Sequence, residues 1–139
     1  MMTNDTNSTN KPRKLVGPDV LYPELSYRIM EAIFEVNNQL GPGFSEEIYQ
    51  KALITELGLR DILFETQKNI KVIYKGKPMG TYRLDLVIDK KIISELKAVA
   101  SLNDIFKQQL TSYLKATGLR LGILINFGAR RVEYVRIAN

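Results

Sequence analysis

From Glu24 to Leu40 apolar residues recur at Leu25, Ile29, Ile33, Val36 and Leu40, the spacing of one helical face, and predict a first amphipathic helix. Gly41-Pro42-Gly43 breaks that pattern. Ser45 followed by Glu46 and Glu47 reads as an N-cap with two acids in the first turn, where they complement the helix dipole, and opens a second helix from about Glu46 to Leu57 with Gly58 as its stop. After Arg60 the pattern shifts to short runs rich in Ile, Val and Tyr, punctuated by Gly76, Pro78 and Gly80, which predict strands at Thr66 to Tyr74, Gly80 to Ile88 and Ile92 to Ala98. The last two are joined by the polar turn Asp89-Lys90-Lys91. Residues 102–117 return to helical spacing, with Leu102, Ile105, Phe106, Leu110 and Leu114 on one side, and Gly118 ends the helix. The nearly all-apolar run Leu121 to Phe127 predicts a strand buried on both faces, and Val132 to Ile137 a final strand after Gly128. The order αα-βββ-α-ββ makes this an α/β domain with a mixed sheet and no internal repeat. Residues 1–20, rich in Asn, Thr and Ser, show no apolar period and read as a mobile polar leader, leaving residues 21–139 as the domain.

Within the predicted strands some positions are charged where apolar residues are expected. Alternation places Tyr82, Leu84, Leu86 and Ile88 on one face of the second strand and Asp85 on the other. In the third strand Ile93, Glu95, Lys97 and Val99 share a face, so Glu95 and Lys97 project together. If the short turn makes these two strands a hairpin, Asp85 joins the same patch. Two converging carboxylates repel each other and lose hydration unless a cation joins them. Mg²⁺ or Mn²⁺, taking oxygen ligands from Asp85 and Glu95 and keeping several waters, fits that need, with Lys97 beside it to act on a water or on developing charge. The same residues also read as a cross-strand ion pair on a solvated sheet face.

Composition narrows the chemistry. The 139 residues contain no cysteine, which excludes disulfides and thiolate sites, and no histidine, which leaves carboxylates, lysine and tyrosine for acid/base or metal work. A net charge of +5 points to an anionic partner, with nucleic acid first, although Lys11, Arg13 and Lys14 place part of the excess in the leader. No apolar run reaches membrane-spanning length and the N-terminus lacks a signal-peptide core, so a soluble cytoplasmic protein is expected.

On the predicted third helix, Gln109 falls inside the apolar stripe and Tyr113 lies one turn beyond it, an amide and a phenol on one side, suited to holding a phosphate, a base or the lysine. The plainer alternative is a glutamine at the margin of the stripe and a core tyrosine. Glu46 and Tyr49 are similarly close on the second helix, where capping and packing account for both and a reach of Glu46 to the metal is the functional alternative.

Gly43-Phe44-Ser45-Glu46-Glu47-Ile48-Tyr49, with Leu-Gly-Pro-Gly at 40–43 and Ala-Thr-Gly-Leu-Arg at 116–120, resembles the GxxExxY family, and the likeness runs from about Leu21 to the C-terminus. That family is placed in the PD-(D/E)xK nuclease superfamily. The resemblance implies a restriction-endonuclease-like αβββαβ core, a mixed central sheet flanked by helices. It makes Asp85 the first acidic motif residue, Glu95-Leu96-Lys97 the (D/E)xK element, Glu46 a third metal carboxylate and Tyr49 a substrate contact. Gln109 to Tyr113 is similar to the QxxxY motif of recombination-type exonucleases, which implies DNA as the ligand. The chain departs from the family pattern at Asn37 and near Phe106, where histidines are common, and at Leu84, where proline is common before the first acid. The expectation is a Mg²⁺- or Mn²⁺-dependent nuclease acting on DNA more than RNA, as a homodimer or with an accessory protein. The alternatives are a non-catalytic nucleic-acid-binding or protein-interaction module, or a subunit active only with a partner.

Overall fold

The computed structural model describes Pro12 and residues 20–139, so the leader expected over residues 1–20 lies, but for Pro12 and Val20, outside the described residues. The elements are α1 (Pro23–Leu40), α2 (Glu46–Leu59), β1 (Phe64–Tyr74), β2 (Lys77–Ile88), β3 (Ile92–Lys97), α3 (Asp104–Thr117), β4 (Leu121–Asn126) and β5 (Glu133–Ala138), in the expected order. The strands form one five-stranded sheet in sequence order. Only β3 and β4 are parallel, because α3 carries the chain back across the sheet between them; the other neighbours are antiparallel.

Each face of the sheet is covered by a different helical layer. On one face α1 and α2 pack Ile29, Ile33, Leu53 and Leu57 against Leu86, Ile92, Leu96 and Ile123. On the other, Leu110 and Leu114 of α3 pack against Ile70, Leu84, Val87, Ile93 and Leu124. Sandwiching explains why β4 is buried at all six of its positions and reads as a continuous apolar run. Gly122 is required for the closeness of α3, since a Cβ there would lie 2.8 Å from the Leu110 side chain. No helix among the described residues is long and apolar enough to cross a membrane.

Three expectations need correction. Gly58 does not stop α2. The helix runs through it to Leu59, and the left-handed residue that closes the end is Asp61 (φ 56°), with the Ile62 N–H bonded to the Leu57 carbonyl at 3.0 Å. β2 begins at Lys77, before Pro78 and Gly80, because Lys75 and Gly76 (φ 51° and 77°) form a two-residue hairpin turn and a register shift at Val72/Ile73 accommodates the proline. Strict alternation along β2 also fails. Leu84 belongs to the α3 layer, and Tyr82 packs its ring on Tyr113, whereas Leu86 and Ile88 belong to the α1/α2 layer. The break falls at Asp85, opposite Gln67, which adopts φ 52° inside β1; the pairing passes from Thr66↔Leu86 to Lys68↔Leu84 around that position.

Candidate active site

β2 and β3 pair regularly at Ile88↔Ile92, Val87↔Ile93 and Leu86↔Ser94. At the next position the backbone ladder gives way to side chains. The Asp85 N–H donates to Glu95 Oε1 at 3.1 Å, and the Leu96 N–H donates to Asp85 Oδ2 at 3.0 Å. The hairpin thus brings Asp85 and Glu95 together, as its short turn predicts, at the point where the two strands part.

Glu95 is 7% exposed. Burial, then the neighbouring Asp85 carboxylate, pushes its pKa up to about 8, against a smaller lowering effect from Lys97. Glu46, in the first turn of α2, is raised by its own partial burial and then by Asp85, and lowered by Lys97. Gln50, one turn further along α2, donates to the Asp85 carbonyl at 3.4 Å. The α2 N-terminus is therefore aimed at the parting strands, positioned by the Ser45 cap, whose side chain accepts from the Ile48 N–H. Glu46, Asp85, Glu95 and Lys97 form one electrostatically coupled group contributed by three elements.

From the opposite layer, α3 supplies aromatic groups. Lys97 Nζ sits 4.9 Å from the centroid of the Phe106 ring, a cation–π contact that holds the ammonium beside the carboxylates. The Tyr113 phenol is shifted upward by burial and then by Glu95, Tyr82 and Asp85, which places it at the edge of the same field. Gln109 is exposed. It follows Phe106 by three residues and precedes Tyr113 by four, so it occupies the solvent edge of the face that both use.

Tyr49 departs from its expected role. It has no exposed surface, its hydroxyl donates to the Gly41 carbonyl and accepts from the Phe44 N–H, and its ring stacks on Phe127 at 4.7 Å. A side chain enclosed in this way cannot contact a substrate; it fixes the glycine-rich loop that leads into α2. Asn37 is buried in α1 with its Oδ1 unpaired.

Residues not singled out from the sequence hold the lysine's end of the site. Asn126, fully buried, accepts from the Val99 and Gly128 N–H groups and donates to the Val99 carbonyl and to Glu133 Oε1, each at 2.9 Å. The Phe127 N–H donates to the Lys97 carbonyl at 2.9 Å. These bonds clamp the segment after Lys97 to the end of β4. A Cβ at Gly128 would lie 2.3 Å from the Val99 nitrogen, so only glycine fits there. The signal for Asn126 was present: a carboxamide closing an otherwise apolar strand.

Among the described residues no group of three or more acidic side chains is gathered tightly enough to hold an ion by itself. The all-oxygen pair Asp85 and Glu95 nevertheless fits a hard divalent ion that retains most of its waters, because a carboxyl held protonated by burial and then by a neighbouring carboxylate is the state a cation relieves.

A family model described as the PD-(D/E)XK nuclease superfamily matches residues 23–137. No curated protein matches the sequence. Among solved structures, the crystal structure of SSO0001 superposes with a TM-score of 0.55 at 25% identity, covering 85% of this chain. The chain spans 57% of the length of that structure.

Proposed function

This chain belongs to the PD-(D/E)XK nuclease superfamily, and from that premise we propose that it is a Mg²⁺- or Mn²⁺-dependent nuclease that hydrolyses phosphodiesters, DNA in preference to RNA. The observation that carries the reading is the reciprocal bonding of Asp85 and Glu95 where β2 and β3 part, with Lys97 two residues on. Asp85 and Glu95 would hold the ion, with Glu46, which feels the Asp85 charge, as the third carboxylate. When bound, the ion supplies Lewis acidity toward water and phosphate oxygens.

Lys97, held over Phe106, orients the attacking water and counters the charge that builds on the phosphate. Tyr113 and Gln109 flank that position from α3 and contact the substrate backbone. The affiliation with GxxExxY proteins rests on the Gly43–Tyr49 signature, and a cytoplasmic location belongs to the same proposal. A homodimer or an accessory protein in the working enzyme belongs to it as well.

The test is cleavage of end-labelled single- and double-stranded DNA and RNA with Mg²⁺, Mn²⁺ or EDTA, beside Glu95→Gln. Metal-dependent cleavage that disappears in the variant is expected. Metal binding without cleavage of any substrate would move the reading to a subunit that needs a partner, and absence of metal binding would overturn the enzyme reading.

A further inference from the structure

We propose that the outer part of the β1–β2 hairpin is a nucleic-acid-holding arm that lays a phosphodiester strand into the carboxylate site. β1 and β2 pair from Phe64↔Ile88 to Tyr74↔Lys77, but β3 covers β2 only at Leu86, Val87 and Ile88. Beyond Asp85 the hairpin therefore leaves the sheet as a two-stranded ribbon. Between Thr66 and Leu84 the ribbon carries Lys68, Lys71, Lys75, Lys77 and Arg83 and no acidic residue. Lys68 is paired with Glu65 at 3.1 Å and Arg83 is bonded to Gln67, whereas Lys71 and Lys77 have no ion-pair partner among the described residues.

Large apolar side chains alternate with these cations and are open to solvent: Ile73 54% exposed, Tyr74 60%, Met79 58% and Tyr82 54%. Cations interleaved with exposed aromatic rings match a ligand that offers phosphates and flat bases together. A second copy of this chain would meet the same lysines along the ribbon, and like charge along a strand edge opposes pairing. The ribbon is continuous with the site, since Tyr82 packs against Tyr113 and Arg83 lies two residues before Asp85. The inference rests on the nucleic-acid reading of that site but not on turnover.

The experiment measures fluorescence anisotropy of labelled single-stranded and duplex DNA and RNA with the full chain in EDTA, across a salt series. Lys71→Ala/Lys75→Ala/Lys77→Ala should weaken binding at least about tenfold near physiological salt and flatten the log–log salt slope by about two to three units. The triple arginine replacement should retain both affinity and slope, which separates charge from folding. Tyr74→Ala losing affinity for single strands more than for duplexes would identify base stacking, and losses confined to the lysine variant would identify backbone contact; either keeps the ribbon as the arm. Wild-type and triple-alanine proteins binding with equal affinity and slope would overturn the arm alone. A wild type that binds no nucleic acid would overturn the arm and the nucleic-acid reading together.

Discussion

Glu95 accepts the backbone N–H of Asp85 at 3.1 Å while Asp85 accepts the N–H of Leu96 at 3.0 Å, so each carboxylate is fixed by the other's strand. The backbone bonds that would continue the ladder are replaced by bonds to side-chain oxygens. This arrangement keeps both acids in place. Its electrostatic cost is concentrated on Glu95, the more buried of the pair.

Glu95→Gln retains an amide oxygen able to accept from Asp85 and removes the buried charge. Metal-free protein at pH 8 should therefore melt a few degrees higher than wild type by calorimetry, and should lose the further rise that Mn²⁺ gives the wild type. Cleavage should fall by more than the roughly 10–100-fold that loss of an outer-shell partner costs a metal site. A variant that melts lower and still gains from Mn²⁺ would remove Glu95 from the site.

The same burial sets a pH dependence. In the folded, metal-free protein Glu95 binds its proton up to about pH 8, whereas in the unfolded chain it releases it near the ordinary 4.5. Between those values the folded state holds more protons, so this group's contribution to stability is present below 4.5 and is lost as pH rises toward 8. Urea midpoints in EDTA should fall across that window, and Glu95→Gln should flatten the decline. An equal slope in both proteins would place the charge elsewhere.

Lys97→Met keeps an unbranched apolar side chain and deletes the ammonium that sits over Phe106. The cleavage rate should drop about 10²–10³-fold, the range for removing one group that stabilises developing charge, while nucleic-acid affinity in EDTA changes little. Equal losses of rate and affinity would reduce Lys97 to a phosphate contact.

Asn126→Ala leaves partly buried Val99 and Gly128 backbone groups without partners and should destabilise by about 1–3 kcal/mol in urea unfolding. Gly128→Ala, driven against the Val99 backbone, should be at least as damaging. A loss under about 1 kcal/mol for Asn126→Ala would mean that water replaces the clamp.

Helical periodicity in residues 24–40 and 102–117, the Ser45 cap, the unbroken apolar run of β4 and the charged positions 85, 95 and 97 were all legible in the sequence, because each depends on neighbours within a turn or on the two-residue pleat. The short turn at Asp89–Lys91 also brought Asp85 and Glu95 to the same hairpin position by local geometry alone. What neighbours along the chain do not determine was decided by tertiary contact. Opposite the left-handed Gln67, β2 changes face at Asp85, so Leu84 and Leu86 enter different layers despite strict alternation in the sequence. The resemblance made Tyr49 a substrate contact, but Phe127, 78 positions away in the chain, stacks on its ring and encloses it. Asn126 and Gly128 acquire their importance only when the parallel β3–β4 pairing sets them against Val99. Sequence pattern thus fixes which residues lie on which face of a regular element, whereas burial of a carboxylate, a tyrosine or a carboxamide depends on which distant element closes over it.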